Sequence, residues 1–120
     1  MTRPTRQEQA QAILQRRAAR TASQILGRRA STAADFVEAF TLERVDMIAE
    51  IDSVAALLAL GYNRSGPRDG LYIIEDADGF RIYLQERGIP LSQRSRMSFD
   101  EARDEVIDRL VMLNGIPFQF

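Results

Sequence analysis

The side chains that can do chemistry in this sequence are carboxylates, hydroxyls and guanidinium groups. The chain of 120 residues has no Cys and no His, and all 16 of its cationic residues are Arg. Disulfides, thiolate and imidazole chemistry, Schiff bases on Lys, and nearly all zinc or copper sites are therefore excluded. Any catalysis would have to use carboxylates, hydroxyls or Arg.

The segment Asp76-Ala77-Asp78-Gly79 is similar to the start of a calcium-binding loop, because alternate carboxylates are followed by Gly. An EF-hand loop also needs Gly at its sixth position and a bidentate Glu at its twelfth. Counted from Asp76, these positions hold Arg81 and Arg87. The sequence therefore favours a tight hairpin turn over a metal site, and we expect neither a metal nor another cofactor.

A second group of carboxylates lies on a predicted C-terminal helix that begins with a capping box, Ser98-Phe99-Asp100-Glu101. Its exposed side carries Asp100, Glu101, Asp104, Glu105 and Asp108. Exposed acids lack the burial that raises a carboxyl pKa for acid/base catalysis, so we do not expect an enzyme. Two interpretations remain, a solvated helix face or a negative patch that steers a cationic partner onto the protein.

Residues of the predicted hairpin could enlarge this patch and anchor a partner. The additional acids are Glu75, Asp76, Asp78 and Glu86. Tyr72, Tyr83 and Arg87 are candidate anchors, because Tyr and Arg provide a large contact area. The alternative for the two tyrosines is partial burial in the core.

The charge is divided unevenly along the chain, although the net charge is only −1. Residues 1–30 hold seven Arg and one acid, whereas residues 31–120 hold nine Arg and 16 acids. We therefore predict a basic helical arm over 1–30 and a single domain over 31–120. No aromatic residue precedes Phe36, so the arm is interpreted as docked on the acidic body or exchanged in a homodimer, in preference to binding nucleic acid.

Apolar periodicity predicts the helices that must position these groups. One helix is expected over 5–26, begun by the capping-box spacing of Thr5 and Glu8 and ended by Gly27. A short helix is expected after Thr32, which has Asp35 three residues on. A longer helix begins at Thr41 and has a kink near residues 51–53.

The middle of the chain changes to the period of a β-strand. The β-prone runs 71–75 and 80–84 flank turn residues and predict a hairpin, followed by a polar loop over 86–96. In the second strand, alternation puts Phe80, Ile82 and Leu84 in the core and Arg81, Tyr83 and Gln85 in water. The predicted fold class is α+β, with N-terminal helices, a central β-hairpin (small antiparallel sheet) and a C-terminal helix packed on it.

From about Asp52 to Leu113, the order of features resembles small bacterial immunity proteins of polymorphic and contact-dependent toxin systems. The words that carry the resemblance are Leu60-Gly61-Tyr62, Tyr72-Ile73-Ile74-Glu75, Phe80-Arg81-Ile82-Tyr83, Glu86-Arg87-Gly88, Phe99-Asp100-Glu101 and Val106-Ile107-Asp108-Arg109-Leu110. Such proteins commonly have a Trp at the position of Phe80 and a Cys in the closing helix, and here both are absent. The resemblance implies a protein that binds a cognate, nuclease-like toxin and occludes its active site.

We therefore expect a cytoplasmic immunity protein whose partner is a cationic toxin domain. No apolar stretch is long enough to span a membrane, and no membrane partner is expected. Two alternatives remain, a DNA-associated regulator or antitoxin that uses the Arg-rich N-terminal helix, and a structural homo-oligomer subunit.

Overall fold

The computed structural model describes residues 3–120, which form a mixed α+β fold, as predicted from the sequence. Contacts between backbone positions divide the chain into two compact units. Unit 1 consists of the described residues up to Glu50 together with Ile107–Phe120, and unit 2 consists of Ile51–Val106. Residues 3–30 thus belong to the same unit as residues 31–50 and the C-terminus.

Each unit has its own secondary structure. Unit 1 contains α1 (Arg6–Leu14), α2 (Ala18–Leu26), α3 (Ala33–Ala39) and α4 (Arg44–Glu50). Unit 2 contains α5 (Val54–Leu58) and the strands β1 (Gly70–Asp76), β2 (Gly79–Glu86) and β3 (Ile89–Met97). The last helix, α6 (Phe99–Leu113), contributes its first half to unit 2 and its second half to unit 1.

The prediction of a single helix over 5–26 is wrong, because the chain forms two helices that are separated by a break. The capping box of Thr5 and Glu8 begins α1, and left-handed Gly27 ends α2, both as predicted. Between them, Arg16 adopts a φ of 61°, which an α-helix does not tolerate. The apolar spacing continues across this break, so periodicity alone did not reveal it.

Two neutral polar side chains hold α1 and α2 in unit 1. Gln9 is fully buried, and its Oε1 accepts hydrogen bonds from the backbone N–H groups of Thr41 (2.8 Å) and Leu42 (3.2 Å). Asn114 Oδ1 accepts from the N–H of Ala18 (3.1 Å), while its Nδ2 donates to the carbonyl of Ile13 (2.8 Å). These bonds supply partners for the N–H groups of the buried residues Leu42 and Ala18.

Thr41 does not begin a helix, contrary to the expectation, because its backbone N–H and hydroxyl bond to Gln9. Instead α4 begins at Arg44. Asp46 Oδ2 accepts a hydrogen bond of 2.7 Å from the backbone N–H of Glu43, the residue before the helix. An interruption of the helix was predicted near residues 51–53, and it is confirmed. It is larger than a kink, because α4 ends at Glu50 and α5 begins at Val54. Ser53 then caps α5 by accepting from the N–H of Ala56.

The predicted hairpin is confirmed and is part of a three-stranded antiparallel sheet in the order β1-β2-β3. β1 and β2 pair from Gly70↔Gln85 to Asp76↔Gly79, so the turn consists of Ala77 and Asp78. Gly79 has a φ of 133°, and a Cβ there would lie 2.7 Å from the carbonyl oxygen of Met97. This position therefore requires glycine.

The prediction of a polar loop over 86–96 is wrong, since most of this segment forms β3. Its partners on β2 shift twice, with Leu84↔Leu91, Ile82↔Arg94 and Phe80↔Met97. Each shift is a bulge with one extra residue, and Ser92 and Arg96 have positive φ. The bulges place the residues that pair with Leu84, Ile82 and Phe80 three positions apart on β3, and one of them is Arg94, so the period of two that identifies a strand is absent.

The face of β2 that carries Tyr83 and Gln85 is buried, contrary to the expectation that it faces water. Tyr83 is only 3% exposed, and its ring stacks on that of Tyr72 with the centroids 4.8 Å apart. Gln85 Nε2 donates to the carbonyl oxygens of Gly66 (2.8 Å) and Arg68 (3.0 Å), which also accept from the Tyr72 hydroxyl. The turn-rich segment before β1 is thereby fixed to the sheet.

The capping box that begins α6 is confirmed. Ser98 Oγ accepts from the N–H of Glu101 (3.2 Å), and the Glu101 carboxylate accepts from the N–H of Ser98 (3.1 Å). Left-handed Gly115 follows the helix. Within residues 3–120, no helix has both the length and the apolar character needed to cross a membrane.

Candidate functional site

The predicted site residues lie in different parts of the structure. Asp78 is in the β1–β2 turn and Glu86 is the last residue of β2, so the length of a strand, roughly 25 Å, separates them. The first turn of α6 is near the Asp78 end, because the ring of Phe99 packs on that of Phe80 with centroids 6.2 Å apart. The acids of α6 and Asp78 therefore come together, whereas Glu86 and Arg87 do not join them.

We call the region around the first half of α6 the α6 surface. It consists of the acids Asp78, Asp100, Glu101, Asp104 and Glu105 with the interleaved arginines Arg94, Arg96 and Arg103. Five acids and three arginines leave a formal charge of −2. The surface is thus negative but contains both signs of charge.

Arginines of the same unit form ion pairs with most of these acids. Arg103 Nη2 lies 3.2 Å from Asp100 Oδ1, although the Asp100 side chain is 81% exposed. Arg96 Nε lies 3.2 Å from Asp78 Oδ2, and both side chains are more than half exposed. Ion pairs this exposed contribute about 0–1 kcal/mol, so either partner can be released at little cost.

A more protected ion pair joins β3 to α6. Arg94 bonds to Glu105, whose side chain is only 14% exposed. This contact raises the pKa of Arg94, mainly through the hydrogen bond to Glu105. Glu105 is therefore a structural residue that fixes β3 to the helix, and it presents little of its charge to a partner.

Glu101 is exposed, but its carboxylate also serves the helix cap. The backbone N–H of Ser98 donates to this carboxylate and lowers the pKa of Glu101, and the Ser98 side chain lowers it further. Glu101 therefore stays ionised at a lower pH than a Glu without these hydrogen bonds. Its charge lies at the helix N-terminus, where the helix dipole favours an anion.

Asp76 and Asp108 do not belong to the α6 surface. Asp76 Oδ2 bonds to Arg81 Nε at 2.9 Å, on the opposite face of the sheet from Phe80. Asp108 belongs to unit 1, where Arg44 Nη1 approaches its Oδ1 to 2.8 Å. Over residues 3–120, no group of three acids is arranged so that it could hold a metal ion.

Tyr83 and Tyr72 cannot anchor a partner in this structure, because 3% and 1% of their surfaces are exposed. Arg87 and Gly88 form the two-residue turn between β2 and β3, and their N–H groups donate to the carboxylate of Asp69. Arg87 has a φ of 51° there, as a type I′ turn requires. Its side chain is exposed, but it lies at the end of β2 away from the α6 surface.

Sequence reasoning missed two of the three arginines of the α6 surface, Arg94 and Arg96. Arg103 is apparent from the sequence, because it follows Asp100 by three residues on the predicted helix. Arg94 and Arg96 gave no such signal, because the bulges that position them on β3 have no recognised sequence pattern.

Comparisons with known proteins leave the chain without an assigned relative. No protein-family model, curated protein or solved structure matches it.

Proposed function

We propose that this protein is an immunity protein that binds a cationic, nuclease-like toxin in the cytoplasm and occludes its active site. The observation that carries the proposal is the start of α6, where Asp100, Glu101 and Asp104 are exposed on a helix whose other side is buried. A rigid row of carboxylates suits a partner whose active site binds phosphates with cationic side chains. The resemblance stated above to immunity proteins includes this same helix.

Electrostatic complementarity accounts for how such a partner would be selected. The charge of −2 on the α6 surface attracts a cationic domain and accelerates association. In the free protein, Arg103 forms an ion pair with Asp100, and Arg96 forms one with Asp78. Because these pairs are exposed and weak, an arginine or lysine of the toxin can replace them.

Preorganisation favours tight binding, since fewer side chains have to be ordered when the partner arrives. The capping box of Ser98 and Glu101 fixes the first turn of α6. The pair of Arg94 and Glu105 fixes the helix to β3. The carboxylates of the α6 surface therefore project from a scaffold that is rigid before binding.

A growth-rescue experiment tests this function. The product of the open reading frame beside the gene for this protein, which the proposal takes to be the toxin, is induced in a bacterial host with and without the protein. We expect the wild type to restore growth and the double reversal Asp100→Arg/Asp104→Arg to lose protection. The reversal replaces two attractive charges with two repulsive ones.

Asp52→Arg/Glu86→Arg is the matched control, because these acids of unit 2 are also exposed but lie outside the α6 surface. It changes the net charge by the same amount and should still protect the cell. Equal protection by both double variants would reject the α6 surface as the interface. A wild-type protein that neither binds the toxin nor restores growth would reject the proposed function itself.

A further inference from the structure

Three arginines at the break between α1 and α2 have no acidic partner. We call Arg16, Arg17 and Arg20 the basic elbow. All three are exposed, and Arg17 Nη2 donates only to the amide oxygen of Gln15, at 2.8 Å. Within residues 3–120, no carboxylate forms an ion pair with any of them.

Two other arginines of unit 1 form ion pairs with acids that are distant in the sequence or close to them. Arg6 pairs with Glu43 and Asp46, and Arg28 pairs with Asp35 at 2.8 Å. The basic arm was expected to dock on the acidic body of the protein, but in the described part of the chain the arginines of the basic elbow form no ion pairs with its acids.

The fold does not need these charges. The inner side of α2 is formed by Ala18, Thr21 and Ala22, which are at most 8% exposed. The neutral side chains of Gln9 and Asn114 supply the polar contacts that hold the helix pair. Three unpaired cations placed together raise the electrostatic energy of the folded protein unless they serve a ligand.

We propose that the basic elbow is a second binding surface that takes the phosphate backbone of duplex DNA. This inference does not depend on the proposed immunity function, which concerns unit 2. Arg guanidinium groups form paired hydrogen bonds to phosphate oxygens, and a duplex presents phosphates at high density. The repeat of Arg17, Arg20 and Gln24 at intervals of three and four places three donor side chains along one side of α2.

Two observations favour DNA over an acidic protein. Protein interfaces are anchored by large apolar side chains, and none in residues 3–30 is among the exposed ones. The cleft beside Arg17, about 190 Å³ in volume, is lined by the polar Gln11, Thr21 and Gln24 and by one acid, Glu8, whose carboxylate accepts from the N–H of Thr5. Amides, hydroxyls and arginines of this kind are the side chains that contact DNA backbones.

The amino-acid composition around the basic elbow also predicts how it binds DNA. No aromatic residue precedes Phe36, so bases have no ring on which to stack. Binding should be independent of sequence and should depend steeply on salt. With three phosphate contacts, a fourfold increase in salt from about 50 to 200 mM lowers the affinity by about 40-fold.

Fluorescence anisotropy with a labelled 20-base-pair DNA duplex tests the proposal on the full chain. Arg16→Gln/Arg20→Gln should weaken binding at least tenfold at low salt and leave a salt slope close to that of one contact. Arg64→Gln/Arg68→Gln is the matched control, because these exposed arginines of unit 2 also lack acidic partners in the described chain. It should bind like the wild type, and circular dichroism should show that both variants are folded.

Three results would overturn the proposal. The first is the absence of duplex binding by the wild type at low salt. The second is an equal loss in both double variants, which would indicate an effect of net charge alone. The third is binding of poly-glutamate as tight as that of the duplex, which would identify an acidic polypeptide as the ligand of the basic elbow.

Discussion

The two units handle charge in opposite ways. Unit 1 holds nine Arg and seven acids, and its basic elbow is left without acidic partners. Unit 2 holds seven Arg and ten acids, yet most acids of its α6 surface contact arginines of the same unit. The charge that a region carries in the sequence is therefore a poor guide to the charge it offers to a partner.

The difference arises from what holds each unit together. In unit 1, buried amides such as Gln9 and Asn114 bond the backbone, so exposed arginines are not needed for stability. In unit 2, arginines of β3 reach across to the β1–β2 turn and to α6. Substitutions should therefore have large effects on stability at the buried amides and small effects at the exposed charges.

The largest effect is expected at Gln9. Replacing it as Gln9→Leu keeps the volume but leaves the N–H groups of Thr41 and Leu42 without partners, which should lower the free energy of unfolding by about 3 kcal/mol. Urea unfolding monitored by circular dichroism measures this. Gln24→Leu, at an exposed position of α2, is the control and should change stability by less than about 0.5 kcal/mol. Equal losses would mean that the buried amide has no special role.

The next largest effect is expected at the bulged side of the sheet. Gly79→Ala should cost about 2 kcal/mol, because φ is positive and the new Cβ would meet the carbonyl oxygen of Met97. Gly88→Ala also has a positive φ, 77°, but no atom lies within 4 Å of the new Cβ, so it should cost less. Thermal unfolding of the two variants compares them. A smaller loss at Gly79 would contradict the described packing of β3.

A smaller effect is expected at the start of α6. Ser98→Ala removes the oxygen that accepts from the N–H of Glu101, and caps of this kind contribute about 1 kcal/mol. Ser95→Ala on the exposed strand β3 is a suitable control. If the cap also preorganises the α6 surface, Ser98→Ala should weaken binding to the toxin more than its loss of stability alone explains.

The smallest effect concerns pH. Hydrogen bonds from Ser98 lower the pKa of Glu101 below its usual value of 4.5. The folded pKa is therefore lower than the unfolded one, so this stabilisation is present above about pH 4.5 and is lost as the pH falls through the folded pKa. Urea titrations at a series of pH values should show a shallower acid limb for Glu101→Gln than for the wild type. Identical slopes would exclude a contribution from Glu101.

Local signals predicted much of the fold. The capping boxes at Thr5, Thr32 and Ser98 and the turn at Ala77-Asp78 involve residues at most three apart, and all four are confirmed. Each depends on the type of a few neighbouring residues. Tertiary contacts can therefore change their environment without changing their conformation.

The features that were not predicted depend on contacts between distant residues. Arg94 and Glu105 are 11 positions apart and meet only because two bulges turn β3. Tyr83 alternates with apolar residues in the sequence, but its ring is covered because Tyr72 stacks on it. The break at Arg16 is fixed by hydrogen bonds of Asn114, about 100 positions away. No local pattern contains this information.

The most direct test of the account compares association rates of the toxin domain with three forms of this protein at low salt. Arg103→Gln removes the arginine that occupies Asp100, so we predict faster association than for the wild type, whereas Asp100→Asn should be slower. Stopped-flow fluorescence measures both rates. Opposite changes in the two variants would establish that available charge on the α6 surface directs binding, and unchanged rates in both would contradict it.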